Sequence, residues 1–223
     1  MEKVVVSQQT HPAFFRQCKS LGQLIACLEK MGEKDDQYIV KILLNGRKLD
    51  NDEEQLLESL SINEVDELAV HFSSIDEITG KTMISIIGSI QDIQLNVIKF
   101  TKEFRGADQI DDEKLKFILI QCRGVIEGLE EIFKTHSSGK LMLKHFSLWV
   151  EAEKELTNIL QCILQSRSLN DVEFISDLLE FDLVQALSLW EEVLEKEMHD
   201  SPTISQIFSL NSRLDGSDNG VDV

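Results

Sequence analysis

Apolar residues alternate with polar ones through the first third of the chain and recur at every third or fourth position thereafter. Period two marks strands and period 3.6 marks helices, so the change of period near Ile75 divides the molecule into a sheet part and a helical part. In the sheet part, KVVVS at 3–7 reads as a strand. Pro12–Cys18 reads as a returning edge strand, since Pro is tolerated at the start of one. Ser20 followed by Gln23 caps a helix whose buried face is Leu21, Leu24, Ile25, Leu28 and Met31, with Gly32 ending it in the left-handed region. The next strand sends Val40, Ile42 and Leu44 to one side and Ile39, Lys41 and Leu43 to the other, and Asn45-Gly46 supplies a tight turn into a short return at Arg47–Leu49. Asp52, Glu53 and Glu54 favour the amino end of a short helix with Leu56, Leu57 and Leu60 on its apolar side. The last strand points Leu68, Val70 and Phe72 inward and Glu67, Ala69 and His71 outward.

Four amphipathic stripes follow. Met83, Ile86, Ile90, Ile93, Val97, Phe100 and Phe104 define a helix ending near Arg105-Gly106, and Leu115, Ile118, Cys122, Val125, Leu129 and Ile132 define a second that closes at 135–139. A third is expected over Leu141–Gln165 with Leu148, Ala152, Leu156, Ile159 and Ile163 on its face. A fourth, over Asn170–Met198, carries Ile175, Leu179, Leu183, Ala186, Trp190 and Val193. Short connections favour antiparallel neighbours, so an up-down-up-down bundle satisfies all four stripes. Ser201-Pro202 opens a last helical turn with Ile204, Ile207, Phe208 and Leu210, and Leu214–Val223 reads as a disordered acidic tail. The expected class is therefore α+β: a small sheet domain at 1–75, an antiparallel four-helix bundle with a short terminal helix at 76–212, and a tail at 213–223.

The segments KVVVS, SLGQLIACLEKMG, VKILLNGRKL and DELAVHF follow one another in the order hairpin, capped helix, strand, turn, short helix, final strand. In that order and spacing, residues 1–75 resemble a ubiquitin-like β-grasp domain. Modifiers and sulfur carriers of that class act through a tail ending in Gly-Gly, whereas here the last strand runs on through Phe72-Ser73-Ser74-Ile75 and the sequence closes Asn219-Gly220-Val221-Asp222-Val223. The departure removes the activation chemistry. What the resemblance still implies is a folded adaptor whose outward sheet face, Ile39, Lys41, Leu43, Ala69 and His71, binds a protein partner or is covered by the helical part.

Charge narrows the partners. The chain carries 22 Lys/Arg against 40 Asp/Glu, a net charge of −18, and residues 1–75 hold 8 of the cations and 13 of the acids. Nucleic acid and anionic membrane are disfavoured by that balance, and no run of Lys/Arg offsets it. A basic or amphipathic protein partner fits better, and homodimerisation stays open. The run VVV near the start is too short for a secretory signal, and no stretch reaches the roughly 18 apolar residues of a membrane span, so the cytoplasm is the expected compartment. Cys18, Cys27, Cys122 and Cys162 form no CxxC pair and read as buried reduced thiols.

No pattern of catalysis emerges. Gly80-Lys81-Thr82 resembles the end of a phosphate loop, but the required upstream Gly is Ile75, and Lys81 reads instead as a residue at a helix start. No Glu has a His three residues on, as a bundle di-metal site needs. His11, His136, His145 and His199 lack ligand partners at metal spacing. No Ser lies in a nucleophile elbow, and Asp111-Asp112 and Glu130-Glu131 diverge around their helices. Trp149 and Trp190 are expected in bundle packing. Neither cofactor nor metal is expected, and the reading is a non-enzymatic adaptor or scaffold. The alternative is an export or assembly chaperone that holds an amphipathic client in a groove of the bundle.

Overall fold

A computed structural model describes residues 2–104, 109–169 and 171–201. The expectations at Arg105-Gly106, Asn170, the turn after Ser201 and the acidic tail lie outside those residues. The chain divides into two compact units between Ile78 and Thr79.

In the first unit, β1 (Glu2–Ser7), β2 (Gln37–Leu44), β3 (Arg47–Lys48) and β4 (Glu67–Ser74) form one sheet in the order β1-β4-β2-β3, each pairing antiparallel. Pro12–Cys18 is not a strand. Pro12–Gln17 forms a short helix, α1, because Pro suits a first helical position, and this buries Phe15. The β1–β4 pair therefore replaces the expected opening hairpin. Helix α2 (Leu21–Gly32) starts where Ser20 Oγ accepts the Gln23 N–H at 3.4 Å, and Gln23 Oε1 accepts the Lys19 N–H at 2.8 Å. Leu21, Leu24, Ile25 and Leu28 are buried as expected, whereas Met31 is 46% exposed.

Gly32 ends α2 with ordinary helical angles, φ −62° and ψ −41°, and Asp36 takes the left-handed position at φ 52°. Gly32 is needed for space instead, since a Cβ there would meet the Phe72 ring at 2.6 Å and the Gln37 carbonyl at 2.7 Å. Asn45 and Gly46 have positive φ as expected of the turn. The Asn45 side chain also accepts the Asp66 and Glu67 N–H groups, each at 3.0 Å, tying the turn to the start of β4. Helix α3 (Asn51–Leu57) opens on a reciprocal cap between Asp50 and Glu53, with Leu57 and Leu60 partly buried and Leu56 exposed.

In the second unit the stripes bury as read except at Leu148 and Ile159, and the expectation for the Phe104 side chain lies outside what is described. Helix α4 (Ile75–Phe104) starts well before Met83, because Ser74 Oγ accepts the Glu77 N–H at 3.2 Å and caps it directly off β4. Lys81 is accordingly inside α4 and not at its start. Helix α5 (Asp112–Ser137) buries Leu115, Ile118, Cys122, Val125, Leu129 and Ile132. Helix α6 (Phe146–Leu169) begins later than Leu141: the buried Glu197 carboxylate accepts the Lys144 N–H at 2.9 Å and the His145 N–H at 2.5 Å, fixing the amino end there. Its core face is Trp149, Ala152, Leu156 and Ile163, with Leu148 and Ile159 only partly buried. Helix α7 (Val172–Asp177) passes through a π-helical stretch, Leu178–Leu183, into α8 (Val184–Asp200).

Polar cross-links give the arrangement. Asn96 binds Gln121 at 3.3 Å and Lys114 pairs with Glu103, which sets α4 antiparallel to α5. Arg167 pairs with Asp112 at 2.9 Å, joining the end of α6 to the start of α5. Glu197 joins the end of α8 to the start of α6, and Gln91–Glu191 at 2.6 Å with Gln94–Ser188 at 2.9 Å sets α8 antiparallel to α4. The four helices close a ring of antiparallel neighbours. Inside it Trp149 and Trp190 meet edge to face with ring centroids 4.8 Å apart.

Candidate functional site

The sheet of the first unit has one side packed on helix and a second side that carries a different set of residues. Val6, Ile42, Leu68, Val70 and Phe72 join Leu21, Leu24, Ile25 and Leu28 in one core on the covered side. The strand register decides what faces the other way. Lys3 pairs with His71, which pairs with Lys41; Val5 pairs with Ala69, which pairs with Leu43; and Leu43 pairs with Lys48. Two cross-strand rows result, one cationic and one apolar. Lys3, Lys41 and Lys48 are exposed, while Val5, Leu43 and His71 are half-buried and Ala69 lies buried between larger neighbours.

Four of the five residues expected on this face are therefore together: Lys41, Leu43, Ala69 and His71. Ile39 is not among them. The register slips between Ile39 and Lys41, so Ile39 pairs with Phe72 and packs against the core, and Val40 is the extra residue of a bulge, 41% exposed. A bulge of one residue reverses the side on which everything before it points. Strict alternation could not reveal it. Lys3, Val5 and Lys48 were missed for a different reason, since only the pairing brings them beside the other residues.

The electrostatics follow from the neighbours. Burial first, then the charges of Lys41 and Lys3, push the His71 imidazole below its usual value of 6.5, so the ring is neutral at pH 7. Glu67 is the acid on the same face, at the Ser7 end. Along the edge of β2, β3 pairs with Leu43 and Leu44, and the Leu49 N–H just after it donates to the Ile42 carbonyl at 3.0 Å. An open cleft of about 640 Å³ lies there, lined by Val40, Lys41 and Lys48 on one side and Glu29, Asp50, Asp52 and Glu54 on the other. Burial and the nearby Glu29 and Glu58 carboxylates raise the Glu54 carboxyl above its ordinary value. The bulge and the Lys41 charge blunt this edge against strand addition, which leaves the flat face as the more accessible surface.

Gly80-Lys81-Thr82 lies within α4, where the backbone amides are committed to the helix and cannot wrap a phosphate. Leu143 N–H donates to His136 Nδ1 at 3.2 Å, and His145 Nε2 lies 2.9 Å from Asp200 Oδ2. Among the described residues no group of three or more His, Cys, Asp or Glu side chains is placed to hold a metal ion, and no helix is long and apolar enough to cross a membrane. A small cavity of about 150 Å³ in the helical unit is floored by Trp149 and Trp190 and rimmed by Glu130, Phe133 and Glu153.

Cysteine placement departs from the expectation in two ways. Cys162 is exposed rather than buried, and Cys18 and Cys27, distant in sequence, have their sulfurs 3.8 Å apart. Comparison of the chain with protein-family models, with curated proteins and with solved structures gives no match, so the function is argued from this geometry alone.

Proposed function

We propose that this chain is a non-enzymatic protein-interaction adaptor whose sheet unit, a variant of the ubiquitin-like β-grasp, docks an acidic segment of a partner protein on its outer face. The capped α2 over one sheet face, the Asn45-Gly46 turn and the short α3 support the β-grasp kinship. The all-antiparallel sheet and the α1 turn are where the unit departs from the expected element order. The observation that carries the docking reading is the double row itself: a chain of net charge −18 gathers Lys3, Lys41 and Lys48 beside an apolar strip of Val5, Ala69 and Leu43. Such a strip takes apolar side chains, and the cations fix the register of acidic ones. An acidic partner thus replaces the basic one that net charge alone favours. Nucleic acid fits less well, because a few cations in an acidic field give little phosphate neutralisation.

The test is titration of the full chain with a peptide of alternating Glu and Leu, followed by amide shifts. Shifts at Lys3, Lys41, Leu43, Ala69 and His71, and about tenfold weaker binding in the K3E/K41E double variant, are expected; a tenfold loss corresponds to about 1.4 kcal/mol. Unchanged binding in that variant, or tighter binding of single-stranded RNA than of the peptide, overturns the reading.

A second reading, client holding by the helical unit, has one observation in its favour. Leu95 and Ile98 on α4 and Phe117 and Ile120 on α5 flank the Asn96–Gln121 bond and are 37–57% exposed. Replacing Phe117 and Ile120 with Ser abolishes capture of an amphipathic helical peptide if this reading holds, and leaves the acidic-peptide titration unchanged.

A further inference from the structure

We propose that Cys18 and Cys27 form a reversible dithiol–disulfide site in the sheet unit. Cys18 sits just after α1 with extended backbone, φ −102° and ψ 141°, and its N–H is held by the Phe14 carbonyl at 3.1 Å. Cys27 is on α2, and its side chain is turned toward Cys18 so that the sulfurs are in van der Waals contact at 3.8 Å. A disulfide needs a separation near 2.0 Å, and rotation about the two Cα–Cβ bonds moves sulfur atoms over that range. The two thiols also differ in access: Cys18 is 4% exposed, whereas Cys27 is half-buried.

That asymmetry sets an order of events. The Cys27 thiolate attacks one sulfur of a small disulfide such as oxidised glutathione, forming a mixed disulfide and releasing one glutathione thiolate, which takes up a proton. Cys18 then loses its proton to solvent and attacks the Cys27 sulfur, closing the internal disulfide and releasing the second glutathione. Two protein thiols are oxidised and one glutathione disulfide is reduced to two thiols. Burial, and then the hydrogen bond and charge of Cys27, push the Cys18 thiol up to about 11, in keeping with its role as the resolving and not the attacking sulfur. Cys122, buried alone in the bundle, and the exposed Cys162 have no such neighbour among the free cysteines.

The experiment is incubation of the full chain with oxidised glutathione, followed by thiol counting under denaturing conditions and mapping of unreduced peptides. Free thiols are expected to fall from the four of the reduced chain to two or fewer, with Cys18 and Cys27 in one cross-linked peptide that dithiothreitol separates. In the C18S variant, Cys27 accumulates as the stable glutathione adduct. The proposal is overturned if the wild-type chain shows Cys27 only as that adduct, if both sulfurs remain free while Cys162 is modified, or if the cross-linked peptide joins other cysteines. The wild-type measurement decides even where a variant fails to fold.

Discussion

The two units use their apolar residues differently. In the helical unit the stripes of α4, α5, α6 and α8 turn inward in a closed ring, and Leu95, Ile98, Phe117, Ile120 and Phe133 remain exposed outside it. In the sheet unit α2 covers one face, and on the other Lys3, Lys41 and Lys48 are exposed while Ala69 and Ser73 are buried. A bundle gathers its regular stripes in one shared core, whereas a sheet backed by helix on one side carries a second patterned face. The difference bears on the proposed site, whose members are neighbours across strands rather than along them.

The sharpest way to break this comparison is to strike each unit where the other should be indifferent. Trp190→Ala removes a 1%-exposed indole packed edge to face on Trp149, and a loss of about 3–5 kcal/mol is expected from a cavity of that size. K3E or K41E, on the second sheet face, should move stability by no more than about 0.5 kcal/mol while weakening the acidic peptide. Chemical denaturation measures both. A large stability loss in the lysine variants would mean that the face is covered and structural.

Next in size is Glu197→Ala. That carboxylate is 4% exposed and satisfies two backbone donors at the start of α6, so its removal leaves them unpaired at a cost of about 1–3 kcal/mol. Loss of less than that would show that water takes over, and that the amino end of α6 is not held from α8. Deletion of Val40 comes after it. Without that extra residue Ile39 and Lys41 alternate regularly, Ile39 keeps its pairing with Phe72 and its place in the core, and stability should change by no more than about 1 kcal/mol. A much larger loss would mean that Ile39 has left the core, and that Val40 is not the residue the pairing can do without.

These residues also show how much the sequence carried. The stripes on α5 and α8 were readable because a helix repeats its contacts every turn, and each position from Leu115 to Ile132 reports on the same face. The cap at Ser20 was readable because it is local, and Asp52, Glu53 and Glu54 marked the start of α3 for the same reason, although the Asp50 cap itself was missed. Pro12–Cys18 misled because a Pro followed by aromatics satisfies both an edge strand and a first helical turn, and only the pairing of β1 with β4 decides. The Val40 bulge has no composition signal. Lys41 and His71 were readable on one face, but Lys3 and Lys48 were invisible because they join it through register alone, and the Cys18–Cys27 pair because the chain between them turns from α1 into α2.

A smaller effect sharpens the electrostatic half of the comparison. His71 is held below its ordinary 6.5 in the folded chain, so it is neutral at pH 7 and gains its proton only in more acidic solution. Because the unfolded chain takes that proton first, the ring contributes a little stability above about pH 6.5 that is lost as pH falls. Binding runs the other way: protonation adds a cation to the Lys3–Lys41 row, so affinity for the acidic peptide should rise severalfold between about pH 7.5 and 5.5. H71Q should abolish that rise and leave the salt dependence intact. Equal pH profiles in the two proteins would remove His71 from the site.

The smallest expected effect lies at the helical unit's surface. Asp200 is held below its usual 3.8, first by its hydrogen bond to the His145 ring and then by the charges of His145, Lys144 and His199. A lowered carboxylate value adds stability that is complete above the unfolded pKa and disappears as pH falls through the folded one, here below about pH 4. Asp200 is well exposed and so is solvent-screened, so D200N should move the midpoint of acid unfolding upward by only a small fraction of a pH unit, and leave stability at pH 7 nearly unchanged. Glu197 reaches the same helix start through buried backbone donors, and E197Q should therefore cost more than D200N at neutral pH, as followed by circular dichroism. If the order of the two reverses, the start of α6 is secured by the surface pair, and burial would no longer be what separates structural from accessible positions in this unit.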